Sequence, residues 1–176
     1  MFNSDVDSLT DSGFNETQES SYLPFTSVFK PNCIELLPRA CGRSTVLSLL
    51  VERLAREERI AREHAEEIVR GLLVREIHGS TAIGKGIAFP HLRTPYVNNF
   101  VGAIGISAVG FQFGETVEPT RLVFLTLSPW DSREMHTEFL GRLMTLSQNR
   151  MMNFQLLHTT NEKEVYDYLV ELDRHF

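Results

Sequence analysis

The sequence predicts an α/β fold: a single layered domain with a mixed β-sheet flanked by helices, plus an N-terminal tail. Three observations favour this fold. The 176 residues suit one domain with some additional chain, because domains average roughly 150 residues. Apolar residues recur with a helical period on both sides of a glycine-rich middle section. In that middle section the apolar runs are short and mostly do not alternate, which is typical of strands that are covered on both faces.

The first part of the chain differs in composition from the rest. Residues 1–29 contain five acidic residues and no lysine or arginine, and their aromatic side chains follow no period. Such a segment cannot bury enough apolar surface to offset the loss of chain entropy. We therefore expect residues 1–30 to be an acidic, disordered tail and residues 31–176 to form the domain. Removal of residues 1–28 is expected to change stability little.

Helices are predicted at both ends of the domain. Ser44 suits an N-cap, and the apolar residues after it have helical spacing. A second helix is predicted over 61–76, with Gly79 after its end. Toward the C-terminus, helices are predicted over 132–148 and 162–174, and Thr160 or Asn161 would cap the last one.

Three strands are predicted between these helices. The runs rich in β-branched and aromatic residues lie at Ile87–Phe89, Val101–Ile106 and Leu122–Leu127. Glycines separate the first runs, as expected for turns between strands.

Charge and composition exclude several function classes. The net charge is −6, and five of the 23 acidic residues lie in residues 1–29, which leaves 18 against all 17 basic residues in the remainder. An acidic tail on a nearly neutral domain disfavours nucleic acid as a partner. No apolar run approaches the roughly 18 residues of a membrane span, so we expect no direct membrane insertion. The chain starts without a secretory signal, and Cys33 and Cys41 fit no metal or disulfide pattern, so the expected location is cytoplasmic.

One segment has an unusual combination of glycine, proline and histidine. It follows a predicted helix end and contains a glycine-punctuated turn, a short apolar strand and then Pro90 and His91. Pro90 restricts the backbone next to His91. Neutral imidazole is a nucleophile near neutral pH, so it can accept a phosphoryl group on a ring nitrogen and pass it on.

A phosphoryl group on His91 would need hydrogen-bond donors around it. Arg75 and Arg93 flank His91 in the sequence, and His136 begins an amphipathic helix after the last strand. Further candidates for phosphate binding are the hydroxyls of Ser80 and Thr81 and the backbone at Gly84 and Gly86.

The segment resembles the active-site region of a known family. The residues that carry this resemblance are Arg75-Glu76-x-x-Gly79-Ser80-Thr81-x-Ile83-Gly84-x-Gly86-Ile87-Ala88-Phe89-Pro90-His91. They are similar to the enzyme IIA domains of the bacterial phosphotransferase system, of the mannitol/fructose type that includes the nitrogen-regulatory branch. The similarity extends over about residues 33–175 and includes the helix that begins with His136.

The resemblance implies a phosphohistidine phosphotransfer protein rather than a stand-alone enzyme. It implies that His91 is phosphorylated by the carrier HPr or a relative, with Arg75 and His136 stabilising the phosphate. The acceptor would be a IIB sugar-permease component or a regulatory target, and no cofactor or metal is expected. Two departures from the family pattern affect the surface that partners would contact: Leu92-Arg93 directly follows His91, and residues 115–119 lack an Asp-Gly turn.

Two other functions fit parts of the sequence. The chain could be a regulatory interaction module whose phosphorylation state controls a partner, although the presence of both His91 and Arg75 favours a competent carrier. A metal-dependent hydrolase would draw ligands from His78, His91 and His136, but the sequence has no i, i+4 histidine pair.

Overall fold

A five-stranded mixed sheet separates two apolar layers in the structure, a computed structural model that describes residues 22–38, 41–148, 150–159 and 161–175. The elements follow in chain order: α1 Phe25–Val28, β1 Phe29–Leu36, α2 Arg43–Arg56, a 3-10 turn at Arg62–His64, α3 Ala65–Ile77, β2 Ile87–Ala88, β3 His91–Thr94, β4 Val101–Phe111, β5 Thr120–Pro129, α4 Arg133–Leu146, α5 Arg150–His158 and α6 Glu162–Asp173. The predicted α/β fold with a mixed sheet and flanking helices is therefore confirmed.

The sheet is built around β5. The strand order is β1-β4-β5-β2, and β3 also pairs with β5. β5 runs antiparallel to β4 and parallel to both β2 and β3. β4 and β5 are the inner strands, and seven consecutive residues of each are buried. This pattern explains their continuous apolar runs, because both faces of the strands are covered by helices.

Each face of the sheet has its own apolar layer. On one face, leucines of α2 and α3 pack against Val123, Leu125 and Leu127 of β5. On the other face, Phe124 packs with residues from α1, α4 and α6. Successive residues of β5 thus alternate between the two layers, as the two-residue period of a strand requires. In the described ranges, no helix combines the length and the apolar composition that a membrane span requires.

Three elements differ from the sequence prediction. β1 was not predicted because Lys30-Pro31-Asn32 interrupts its apolar pattern, yet it forms an edge strand with a register shift, where proline is tolerated. β3 is a second short strand that begins at His91 itself. α5 fills the interval between the two predicted C-terminal helices.

The expected tail boundary at residue 30 is wrong for residues 22–30. Phe25, Val28 and Phe29 are completely buried, and the Phe25 ring lies 5.5 Å from that of Phe139. The carboxylate of Asp173 accepts hydrogen bonds from the backbone N–H groups of Phe25 and Thr26 at 2.7 and 2.9 Å. Hydroxyls of Tyr22 and Thr26 donate to the same carboxylate. Residues 1–21 lie outside the described residues.

The packing of α1 leads to a stability prediction. We expect Phe25→Ala to lower the free energy of unfolding by about 3 to 5 kcal/mol, the range for removing a buried phenylalanine side chain. Urea denaturation measures this loss. Val117→Ala, at a fully exposed position, is the control and should leave the transition unchanged. A loss of stability no larger than that of the control would show that Phe25 does not pack in the core and that residues 22–30 belong to the tail.

Candidate active site

His91 lies at the start of β3, where the edge of the sheet is interrupted and resumed. Pro90 has no N–H to donate, so the pairing of this edge with β5 is interrupted between β2 and β3. The Pro90 carbonyl still accepts the Thr126 N–H at 2.9 Å, and His91 then pairs with Thr126 of β5. The half-buried His91 side chain is consequently held at a defined point beside β5.

Both ring nitrogens of His91 have a protein partner. Nδ1 lies 2.8 Å from the carbonyl oxygen of Phe89, and Nε2 lies 3.2 Å from Nη2 of Arg75. A carbonyl only accepts and a guanidinium only donates, so these partners assign the proton to Nδ1. Nε2 therefore carries the lone pair, which makes it the nucleophilic nitrogen.

Burial lowers the pKa of His91 below its ordinary value of 6.5. The Phe89 carbonyl opposes this shift, and the Arg75 guanidinium adds to it. The imidazole is therefore neutral at pH 7, as a nucleophile must be.

Arg75 lies in the last turn of α3 and is held at two points. Its Nη1 donates to the carbonyl oxygen of Gly79 at 2.9 Å, while Nη2 faces His91. The bond to Gly79 orients the planar guanidinium toward Nε2. A phosphoryl group on that nitrogen would lie next to a permanent positive charge with several donors.

His136 approaches the site from α4, which follows β5 after a short connection. The centroids of the His91 and His136 rings are 5.4 Å apart, in an edge-to-face arrangement. Nδ1 of His136 is 2.6 Å from the Ser128 hydroxyl. Burial lowers the pKa of His136 to about 4, and the neighbouring His91 ring and the guanidinium groups of Arg93 and Arg75 contribute to the shift.

Arg93 lies two residues after His91 on β3 and therefore on the same face of the strand. Its Nη1 donates to the carbonyl oxygen of Trp130 at 3.0 Å, and the guanidinium carbon lies 5.3 Å from the centre of the exposed Trp130 ring. Arg93 is thus at the rim of the site and is engaged with Trp130.

Ser80 and Thr81 lie at the His91 end of a small hairpin, because the Phe89 N–H donates to the Thr81 carbonyl at 3.1 Å. The Thr81 hydroxyl donates to the buried carboxylate of Glu76, which also accepts the Thr81 N–H. In this arrangement the hydroxyl proton of Thr81 is used by Glu76, and binding of phosphate by Thr81 stays a prediction. The exposed Ser80 hydroxyl accepts from the Ala82 N–H at 3.2 Å, so its own proton is not used by that contact.

Gly84 and Gly86 form the far end of that hairpin and are not brought to His91. Ile87 pairs with Leu122 and His91 with Thr126, a separation of four residues, or roughly 13 Å along a strand. Gly84, Lys85 and Gly86 all have positive φ angles, a conformation that glycine adopts without strain. The structure places these glycines in the turn of the hairpin rather than beside His91, and binding of phosphate by them stays a prediction.

Two polar residues of the site were not predicted from the sequence. Glu76 was quoted only as part of the motif, but only 3% of it is exposed and it holds the Thr81 loop. Ser128 lies one residue beyond the predicted strand Leu122–Leu127. A signal was available, since Thr126 and Ser128 are polar residues two apart on one face of β5. Among the described residues, no group of three or more side chains is arranged to hold a metal ion.

Residues 27–172 match the family model described as phosphoenolpyruvate-dependent sugar phosphotransferase system, EIIA 2. The chain is 35% identical over 105 residues to the fructose-specific EIIABC component of Bacillus subtilis, covering 58% of this chain and 16% of that protein. It is 27% identical over 149 residues to a nitrogen regulatory protein of Bradyrhizobium diazoefficiens, covering 84% and 95%.

A solved structure has the same fold. The nitrogen regulatory protein IIA-Ntr from Neisseria meningitidis superposes with a TM-score of 0.69 at 25% identity, covering 81% of this chain and 97% of that one.

The lowered pKa values lead to a prediction about stability and pH. In the unfolded chain His136 takes up a proton near pH 6.5, whereas in the folded protein it does so only near pH 4. The unfolded state therefore binds more protons in this interval, so stability falls as the pH drops from about 6.5 to about 4. His91 contributes in the same direction.

Urea midpoints between pH 7 and pH 4 measure the effect. His136→Asn should reduce the pH dependence, because it removes a group that binds a proton in the unfolded state but not in the folded state over this interval. The carboxylates that also titrate are the same in both proteins, so their contribution cancels in the comparison. His175→Asn, at an exposed position, should retain the wild-type profile. Identical profiles for all three proteins would contradict the lowered pKa of His136.

Proposed function

The chain belongs to the EIIA 2 family of the phosphoenolpyruvate-dependent sugar phosphotransferase system, and we propose that it is a phosphoryl carrier that accepts phosphate on Nε2 of His91. The observation that carries the proposal is the pair of contacts made by this ring. Nδ1 is held on the Phe89 carbonyl, and Nε2 faces Arg75 at 3.2 Å. The nucleophilic nitrogen and the charge that would stabilise its product are thus adjacent before any partner binds.

The proposed transfer has a simple electron balance. The lone pair of Nε2 attacks the phosphorus of a phosphohistidine on the donor, an HPr-like carrier. The phosphorus–nitrogen bond of the donor breaks, and its electron pair returns to the donor imidazole. The new bond leaves the His91 ring with a positive charge and its proton still on Nδ1. The Phe89 carbonyl oxygen accepts that proton in a hydrogen bond, which stabilises the charged ring.

The surrounding donors act on the phosphoryl oxygens. Arg75 supplies a guanidinium beside Nε2, and His136 supplies a ring nitrogen from α4. Ser80, next to the Gly79 carbonyl that holds Arg75, and Arg93, two residues after His91 on β3, are further candidate donors, Arg93 after leaving Trp130. Such donors lower the barrier because they are already oriented when charge develops.

Return of the phosphoryl group to an acceptor completes the cycle. We propose a IIB sugar-permease component or a regulatory protein as the acceptor, with no nucleic acid involved and with transfer in the cytoplasm. A fructose-specific relative supports the first acceptor. The nitrogen regulatory relative, aligned over 95% of its length, supports the second. In that case the phosphorylation state of His91 would control binding of a partner.

The identity of the acceptor nitrogen is directly testable. Incubation with phosphoenolpyruvate, the general phosphotransferase enzyme and HPr should produce an acid-labile, base-stable phosphate on the wild-type protein. His91→Gln should acquire none, and His64→Gln, in the turn before α3 where the ring stacks on Tyr96, should be labelled normally. Phosphorus–nitrogen coupling in NMR should place the phosphate on Nε2. Full labelling of His91→Gln would overturn the assignment, and phosphate on Nδ1 would contradict the hydrogen bond to Phe89.

The roles of Arg75 and His136 predict slow transfer without loss of fold. We expect Arg75→Ala and His136→Ala each to reduce the rate of phosphoryl uptake by roughly 10²- to 10³-fold, as for removal of one preorganised donor. Arg75→Lys should recover part of the rate, because an ammonium group lacks the planar pair of donors.

Single-turnover uptake from phosphorylated HPr measures these rates, and circular dichroism checks the fold. Arg70→Ala is the matched control, since Arg70 lies on the same helix and its guanidinium contacts only the exposed Glu66 and Glu67. Wild-type rates in both Arg75→Ala and His136→Ala would show that this site does not stabilise the phosphoryl group.

A further inference from the structure

Ser128 is a buried hydroxyl that no element of the proposed mechanism uses. It is completely buried near the end of β5, and its Oγ lies 2.6 Å from Nδ1 of His136. The strand register places Ser128 beside Arg93, two residues beyond the pair formed by His91 and Thr126. Its hydroxyl is therefore part of the framework of the site and contacts the His136 ring, whose centroid lies 5.4 Å from that of His91.

The direction of this hydrogen bond decides which nitrogen of His136 carries the proton. If Nδ1 donated to Ser128, the serine proton would need a second acceptor. Among the described residues, Ser128 Oγ has no polar partner other than His136. A buried hydroxyl proton without an acceptor is unfavourable, so the hydroxyl proton is directed at Nδ1.

The consequence for His136 follows from its single proton. A neutral imidazole has one N–H group, and if Nδ1 accepts from Ser128, that N–H is at Nε2. Within the described ranges, Nε2 of His136 has no hydrogen-bond partner in the protein. Only this nitrogen is available to a phosphoryl group on the neighbouring His91 ring, and phosphoryl oxygens require a donor.

We infer that Ser128 is a positioning residue for phosphoryl transfer: by donating to Nδ1 of His136, it keeps the proton of that ring on Nε2 as a donor to the phosphoryl group. This inference rests on the proposed function. Loss of the serine hydroxyl would leave His136 free to move its proton to Nδ1, and a ring in that tautomer presents a lone pair to the phosphoryl oxygens instead of a donor.

The first measurement needs no partner and no phosphate. Nitrogen-15 chemical shifts of the histidine rings in the unphosphorylated wild-type protein at pH 7 should show His136 protonated on Nε2 and unprotonated on Nδ1. In Ser128→Ala the His136 ring should shift toward a mixture of the two tautomers. Protonation of Nδ1 in the wild-type protein would overturn the inference, whether or not the variant folds.

The second measurement is the rate of phosphoryl uptake from phosphorylated HPr. We expect Ser128→Ala to be slower by roughly 10- to 100-fold, the range for residues that orient a functional histidine in metal sites. Ser128→Thr keeps the hydroxyl on a residue that suits a strand, and it should restore the rate and the wild-type tautomer. Ser107→Ala is the matched control, because Ser107 is also a buried serine of an inner strand and its hydroxyl accepts only from the Gly110 N–H.

The outcomes separate the two proposals. A wild-type rate in Ser128→Ala, with the fold intact, would overturn the positioning role. An equal loss in Ser107→Ala and Ser128→Ala would also overturn it, because the loss would then reflect stability. Failure of the wild-type protein to accept phosphate on His91 would overturn the proposed function, while the nitrogen shifts would still decide the direction of the Ser128 hydrogen bond.

Discussion

The site depends on the way β5 pairs with its neighbours. This strand is antiparallel to β4 and parallel to the two short strands β2 and β3. The parallel register brings His91 beside Thr126. Because α4 begins directly after β5, His136 returns to the same end of the sheet. A different register by one residue would turn His91 to the opposite face, since successive side chains of a strand alternate. The proximity of His91 and His136 is thus a consequence of one set of backbone hydrogen bonds.

The chemistry of the site depends on the neutral state of its two histidine rings, His91 and His136. Burial keeps both imidazoles neutral at pH 7, because transfer of a charged ring into the protein interior is unfavourable. Each ring then has one proton and one lone pair. A protein partner at Nδ1, Phe89 for His91 and Ser128 for His136, leaves Nε2 of each ring for the proposed contact with a phosphoryl group. Arg75 supplies the positive charge that the neutral rings lack.

The N-terminal segment shows how a distant carboxylate can decide whether a stretch of chain packs on the domain. Phe25 and Phe29 contribute large apolar side chains to the layer that also contains Phe139. The N–H groups at the start of α1 have no partner within the helix, and Asp173 satisfies two of them from the other end of the chain. The four-residue α1 has little stability of its own, so this carboxylate and the aromatic packing hold it together.

The sequence by itself determined the fold class and the principal helices and strands, because these depend on local periodicity. It also singled out candidates for the site, His91 and Arg75 from a contiguous motif and His136 from a helix pattern after the last strand. Asn161 was also correctly named as a possible cap of α6. Only the tertiary structure decided the packing of Phe25, the burial of the Thr81 hydroxyl against Glu76, and the position of Gly84 and Gly86 at a turn away from His91. It also decided that Ser128 lies against His136. Those properties arise from contacts between residues that belong to different elements or to opposite ends of a hairpin, and a one-dimensional pattern does not specify which side chain will occupy the space beside another.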